Sequence, residues 1–317
     1  DIVFPDTTML NEDEALQQAV RKHQVILPVI WDYRQTVTNL SVGDLPETAI
    51  GSEPVSGQCY SASGYLTSYR EMNASASLLG HISPMPDQQG MMRFMPPLVC
   101  WQGRFYPMLA LSIYKRYADH FDDVVVTDQS LILSVNNQKR EIALNSGLWR
   151  IPYRYDMASF TSIPAWQVLA QQLDQDISGK AVIVGSSAVG LNDRVATPLL
   201  PIAPGMLLHA QMLADLQLSQ SYDPDWIHGV YVGLLVLLTM MMAVIILRYS
   251  IRIAVFWWLI FSLLEVGFAT LIYRLSGELM PVASGIVVLS LLFVSQSIME
   301  WSLVKKQSHR IYQLFKD

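Results

Sequence analysis

The sequence has little charge and little cysteine. Only 15% of its 317 residues are charged, well below the roughly 25% of an average soluble domain. Two cysteines exclude a small scaffold held together by disulfides. The net charge of −6 excludes the basic excess of a typical nucleic-acid-binding protein. The hydrophobic content of 51% excludes a disordered chain.

The charges are unevenly distributed along the chain. Residues 1–228 contain 14 Lys and Arg against 23 Asp and Glu, whereas residues 229–317 contain 7 against 4. Only six charged residues occur between positions 229 and 300. This composition indicates that the C-terminal part contacts lipid.

Three apolar stretches in that part predict membrane spans, at 229–247, 253–273 and 279–299. At about 1.5 Å per residue, each is long enough for a hydrocarbon core of roughly 30 Å. The connections between them are so short that the three predicted helices must alternate in direction.

Basic residues predict the orientation of these spans. They flank the first connection and follow the third span: Arg248, Arg252, Lys305, Lys306, Arg310 and Lys316. The positive-inside bias then places both regions in the cytoplasm and residues 1–228 outside it.

Glu265 is the ionisable residue at the depth of the membrane. Such residues are costly and frequently functional. One interpretation is a hydrogen bond to a small or polar neighbour such as Ser262, Ser284 or Ser290. The other is a role in signalling or assembly.

The outer part of the chain mixes the patterns of strands and helices, which predicts an α/β or α+β domain. Short apolar runs predict strands at 25–30, 124–126, 131–135, 141–144, 148–155 and 181–185. Helical spacing predicts helices at 11–23, 107–120, 164–173 and 205–218.

The outer domain contains no complete motif for a catalytic or metal site. Ser186 and Ser187 follow a predicted strand, but the closing glycine of a nucleophile elbow and the lysine of a phosphate loop are both lacking. The six histidines occur singly, without the spacing of metal ligands. We therefore expect no catalytic residue, no metal and no cofactor in these residues.

Cys59 and Cys100 are candidates for a disulfide because they lie in the outer domain, where an oxidising compartment allows the bond. Loop-closure estimates value such a bond at roughly 3 to 4 kcal/mol. Two separate buried thiols are the alternative, since the sequence does not fix the distance between them.

After the third span, apolar residues recur at intervals of three and four, with one weak polar step: Trp301, Val304, Ser308, Ile311 and Phe315. This heptad seam predicts a parallel coiled coil between two chains. The alternative is a basic amphipathic helix lying on anionic lipid.

Several motifs together resemble a known family. The stretch from Gly179 to Pro198, with Pro204 to Ala210, is similar to the C-terminal signature of CHASE2, an extracellular sensory domain of bacterial receptors. Residues 1–6 resemble its middle segment. Residues 80–93 and 104–111 resemble its glycine-aspartate-glycine turn and the helix that follows.

The resemblance implies three parts: a sensor domain at 1–223 that is truncated at its N-terminus, a three-helix transmembrane module at 224–300, and a cytoplasmic signalling helix at 301–317. It places the sensor on the periplasmic side of a bacterial inner membrane. The ending at 310–317 is similar to the linker before class III adenylate or guanylate cyclase domains, which implies a homodimer. A histidine kinase or diguanylate cyclase output, or a docking and assembly subunit without catalysis, are the alternatives.

The residues that match the family signature either shape a loop or contact a ligand, and the resemblance leaves the ligand or partner protein unidentified. They are Gly185, Ser186, Asp193, Arg194, Thr197, Pro198, Gly205 and His209. We expect the glycines to allow turns with positive φ, and Asp193 to pair with Arg194.

Overall fold

The computed structural model describes residues 1–8, 10–33, 41–45, 55–118, 121–155, 157–173, 175–187, 194–218, 224–276 and 280–314. The chain forms two compact units, Asp1–Ser221 and Tyr222–Asp317.

The first unit contains five α-helices in its described residues: α1 (Leu10–Lys22), α2 (Arg70–Ser75), α3 (Leu109–Tyr117), α4 (Ala165–Leu169) and α5 (Met206–Leu218). α1 begins with Glu12 and Asp13 and ends with Arg21 and Lys22. Acidic residues in the first turn and basic residues in the last turn both stabilise a helix because they interact favourably with its dipole.

The strands of the first unit are short. They are β1 (Ile26–Asp32), β2 (Ser41–Val42), β3 (Val55–Gly57), β4 (Tyr60–Ser61), β5 (Gly64–Leu66), β6 (Leu78–His81), β7 (Met85–Pro86), β8 (Met92–Met95), β9 (Leu98–Trp101), β10 (Arg104–Pro107), β11 (Phe121–Val126), β12 (Ser130–Val135), β13 (Gln138–Ala143), β14 (Trp149–Arg150), β15 (Arg194–Val195) and β16 (Ala203–Pro204).

These strands form several small sheets of mixed direction. Their strand orders are β2-β5-β1-β6, β10-β9-β4, β13-β12-β11-β3, β14-β8-β7 and β15-β16. β1 is parallel to β6, with Ile26 opposite Leu78, and antiparallel to β5. The mixed α/β class predicted for this domain is therefore confirmed.

The largest core of the first unit lies around α3, which packs against β6 on one side and α5 on the other. The close approach of α3 to β6 depends on Gly80, because a Cβ there would lie 2.6 Å from the Cα of Leu109. The glycine of the Gly80-His81 pair thus sets the distance between strand and helix.

Residues 181–185 were predicted as a strand, and this prediction is wrong. Side chains of this segment are alternately buried and exposed, as in a strand. Ala181 and Ile183 pack on the core, while Val182 and Val184 are each 61% exposed. However, no neighbouring strand pairs with this segment in the described part of the chain. Apolar alternation alone does not supply a partner for the backbone.

The strand predicted at 148–155 is limited to Trp149 and Arg150. Pro152 has no amide hydrogen to donate to a ladder. At Tyr155, the side chain of Gln211 forms hydrogen bonds with both the main-chain N–H and the carbonyl. The N–H of Ile151 still donates to the carbonyl of Arg93 in β8 at 2.9 Å, so the segment is held by β8 at its start and by α5 at Tyr155.

The second unit consists of three helices: α6 (Pro224–Arg248), α7 (Ile251–Ser276) and α8 (Val282–Leu314). Two stretches, Gly229–Arg248 and Ile251–Arg274, are long and apolar enough to cross a membrane. The apolar part of α8 in the described residues is shorter, Val282–Ser295. Two spans are supported by length and composition, and the third stays a prediction.

Candidate functional site

Thr197 of the signature closes a tight loop between β15 and β16. Its hydroxyl donates to the carbonyl of Leu200 at 3.0 Å and accepts the Leu200 N–H at 3.0 Å. The main-chain N–H of Thr197 donates to the same carbonyl at 2.9 Å. Thr197 is buried and Pro198 is exposed. These three hydrogen bonds are internal to the loop, and the carbonyl of Ala196 also accepts the N–H of Met92 from outside it at 2.8 Å.

Arg194 connects the two ends of the signature loop. Its guanidinium donates to the carbonyl of Ser187 at 2.7 Å, and its backbone pairs with Pro204 across β15 and β16. Asp193, which we predicted to pair with Arg194, lies outside the described residues.

Gly185 and Gly205 do not have the positive φ that we predicted, whereas Gly179, at the start of the signature stretch, has a φ of 70°. Neither Gly185 nor Gly205 is among the described residues with positive φ. At Gly185 the reason for glycine is space, because a Cβ would lie 3.0 Å from Sδ of Met206. Gly205 is buried and directly precedes α5. Ser186, next to Gly185, is partly buried.

His209 lies in the buried face of α5 and is electrostatically coupled to a second buried histidine, His81 at the end of β6. A ring nitrogen of His81, Nε2, hydrogen-bonds the carbonyl of Pro96 at 2.9 Å. Burial lowers the pKa of His81 to about 3. Burial, reinforced by His81, lowers the pKa of His209 to about 3. Both imidazoles are therefore neutral at pH 7.

Asp87 organises the turn that resembles the family's glycine-aspartate-glycine motif. One carboxylate oxygen accepts the N–H groups of Gln89 and Met91, each at 2.9 Å. The other is 2.6 Å from Nη1 of Arg93. Gly90 of this turn has φ of 79°, a backbone conformation that favours glycine. The motif is explained by turn geometry.

Cys59 and Cys100 form a disulfide, with their Cα atoms 5.6 Å apart. The neighbouring residue Tyr60 pairs with Val99, so β4 lies beside β9. The sequence left open a disulfide or two separate thiols, and the structure contains the disulfide.

α5 is clamped by three side chains that the sequence did not single out. Gln211, fully buried, binds both main-chain groups of Tyr155. Arg154 forms an ion pair with Asp215 at 3.2 Å. Arg140 donates to the carbonyls of Asp215 (2.9 Å) and Leu216 at the end of the helix.

This clamp places a buried carboxylate on α5. Burial raises the pKa of Asp215, and Arg154 and Arg140 oppose that effect. Cationic groups at a helix C-terminus also interact favourably with the helix dipole. α5 is thus held at both ends, by the signature loop and by the arginine pair.

Among the described residues, no group of three or more His, Cys, Asp or Glu could hold a metal ion.

The comparison with known families identifies this domain. The family model of the CHASE2 domain matches residues 1–247. The chain belongs to the CHASE2 family. CHASE2 is an extracytoplasmic sensor domain of bacterial receptors. No curated protein and no solved structure matches the chain.

The CHASE2 match covers the whole first unit and ends with α6, the first apolar helix. Glu265 therefore lies beyond it, on α7. The side chain of Glu265 is fully buried, and the hydroxyl of Tyr231 on α6 donates to it at 2.9 Å. The partner is this tyrosine and not one of the three serines that we considered.

The predicted seam lies at the end of α8, also beyond the CHASE2 match. Trp301 is 66% exposed, and the ammonium of Lys305 lies 5.0 Å from the centre of its ring. The side chains of Val304, Ser308 and Ile311, and all of Phe315, lie outside the described part of the structure. The seam remains a prediction, although α8 is helical through Leu314.

Proposed function

We propose that this chain is the sensory and transmembrane part of a bacterial signal-transduction receptor. The observation that carries the proposal is the CHASE2 match over residues 1–247, which runs from the sensor domain directly into the first apolar helix. A sensor joined to membrane helices in this way relays an extracytoplasmic signal to the cytoplasm.

The relay would use three spans in the bacterial inner membrane, with the C-terminus in the cytoplasm. In the sequence, the uncharged run around α8 extends from 279 to 299, which is longer than the apolar part of its described residues. The positions of Arg248, Arg252 and Lys305 agree with this orientation under the positive-inside bias.

α8 would carry the signal out of the membrane. It is one helix of 33 residues, which is about 50 Å long at 1.5 Å per residue. A hydrocarbon core takes up roughly 30 Å of this length, so the helix extends beyond it. Pairing of two chains along the seam would make this extension a parallel coiled coil.

The output in this proposal is a class III adenylate or guanylate cyclase. Its support is the resemblance of residues 310–317 to the linker of such enzymes. Because their active site forms between two catalytic domains, a helix that sets the pairing of two chains would control activity.

The test is an assay of the full-length protein in membrane vesicles. We expect formation of a cyclic nucleotide from ATP or GTP, a loss of at least about tenfold in the Ile311→Asp variant, and little change in Gln307→Asp, which lies off the seam. Autophosphorylation would identify the output as a histidine kinase, and synthesis of a cyclic dinucleotide would identify it as a diguanylate cyclase. Either result would overturn the assignment to a class III cyclase. Absence of all three activities would overturn the receptor proposal in favour of a docking or assembly subunit.

A further inference from the structure

Glu265 lies where the three helices of the second unit meet. Its side chain on α7 is fully buried, and so is that of Tyr231 on α6, whose hydroxyl donates to Oε1 at 2.9 Å. From α8, Gly285 faces the same carboxyl. A Cβ at Gly285 would lie 1.9 Å from Oε1 and 2.7 Å from Oε2. Only glycine leaves room for the carboxyl at this position.

No cation compensates this carboxyl in the part of the second unit that the structure describes. None of the described ion pairs includes Glu265. Among the basic residues whose side chains are described, Arg248, Arg252 and Arg274 stand at or near helix ends, and Lys305 and Lys306 follow Gly285 on α8 by 20 residues or more. An ionised carboxylate buried without a cation is strongly disfavoured, and such a group takes up a proton instead.

A second observation concerns polar atoms on the same face of α7. Oε2 of Glu265, Oγ of Ser262 and Nε1 of Trp258 are all buried and have no hydrogen-bond partner among the described residues. Their positions differ by three and four residues, so they form one stripe along the helix. Buried polar atoms are normally hydrogen-bonded, so these three atoms indicate a bound water molecule or other polar partner.

Ser262 differs in this respect from six other hydroxyls of these helices. Five of them donate to a carbonyl of their own helix, and Ser284 donates to Pro281 directly before α8; the five are Thr239, Thr270, Ser290, Ser295 and Ser297. The hydroxyl of Ser262 does not have this bond although it is buried. It is therefore available to a group bound beside Glu265.

We propose that Glu265 is a proton-binding site within the membrane, formed with Tyr231 on α6 and Ser262 on α7. Oε1 accepts the hydroxyl of Tyr231. The proton lies on Oε2 and is donated, through a water molecule, toward Ser262. The neutral carboxyl joins α6 to α7 by the hydrogen bond with Tyr231 and lies against α8 at Gly285. This inference does not depend on the output proposed above.

Infrared difference spectroscopy of the whole chain in lipid vesicles at pH 7 tests the proposal. Subtracting the spectrum of Glu265→Gln should reveal the C=O stretch of one protonated carboxyl. A carboxylate band in that difference would overturn the proposal. If Glu265→Gln does not fold, the Tyr231→Phe variant tests the same proposal. It should shift the protonated band to higher frequency, and an unshifted band or a carboxylate band would contradict the site.

Substitution of glycine provides a matched structural test. Gly285→Ala should displace the carboxyl and shift its band, because the added methyl group overlaps Glu265. Gly267→Ala on α7 should leave the band unchanged, since nothing lies within 4 Å of a Cβ there. Equal spectra for the two variants would contradict the position assigned to Glu265.

Discussion

Two neutral histidines are buried in the CHASE2 domain, and protonation of either would place a charge in its interior. The pKa of His81 and that of His209 both fall to about 3 in the folded protein, whereas an unfolded histidine has a pKa near 6.5. A lowered pKa contributes stability that is fully present above pH 6.5 and is lost as the pH falls toward 3.

We therefore expect the free energy of unfolding to decrease by about 1.4 kcal/mol per pH unit for each histidine below pH 6.5. Urea unfolding of the chain in detergent, repeated between pH 7 and pH 4.5, measures this slope. His209→Gln should remove about half of the histidine contribution. His23→Gln is the control because His23 is exposed. Identical slopes for the parent and His209→Gln would show that His209 is not held neutral.

Residue identity alone predicted some of these roles but not their physical cause. The signature motif directed attention to His209, yet its coupling to His81 arises from packing of α5 and β6 around α3. Gly185 was expected to serve a turn, whereas it serves the contact with Met206. A glycine in a sequence does not reveal whether conformation or space requires it.

At the scale of elements, the clamp on α5 makes a direct prediction. Gln211→Ala leaves the main-chain N–H and carbonyl of Tyr155 without their partner, which should cost about 2 kcal/mol of unfolding free energy. Gln217→Ala is the matched control, since Gln217 is exposed on the same helix. Denaturant unfolding of both variants checks the difference. An equal effect of the two substitutions would contradict the clamp.

The exit helix makes a second prediction at this scale. Single cysteines at Val304 and Ile311 should cross-link between chains far more readily than one at Gln307, because a heptad seam brings positions of one face together. Oxidation of membranes followed by non-reducing electrophoresis measures the yields. Equal yields at the three positions would favour a helix lying on lipid.

The helices α1 and α3 were predictable from the sequence because their apolar period repeats several times. Strands of two to four residues carry too short a pattern, and β4 forms only because the distant strand β9 pairs with it. The partner of Glu265 was missed for a related reason. Tyr231 lies 34 residues away, and the rotation of one apolar helix against another leaves no local pattern.

At the scale of the whole molecule, the number of spans decides where the C-terminus lies. Single cysteines at Ser250, Ser276 and Ser302 report this through labelling with an impermeant thiol reagent on spheroplasts. With three spans, position 276 should be labelled from outside, while 250 and 302 should react only after permeabilisation. Labelling of 302 from outside would show that α8 does not cross.

The Cys59–Cys100 bond relates the stability of the sensor to the side of the membrane on which it resides. The bond closes a loop of about 40 residues and is worth roughly 4 kcal/mol by the entropy model, a large part of the net stability of a typical domain. It forms where thiols are oxidised and not in the reducing cytoplasm. A sensor domain left in the reducing cytoplasm would therefore lack this covalent link and the stability that it contributes.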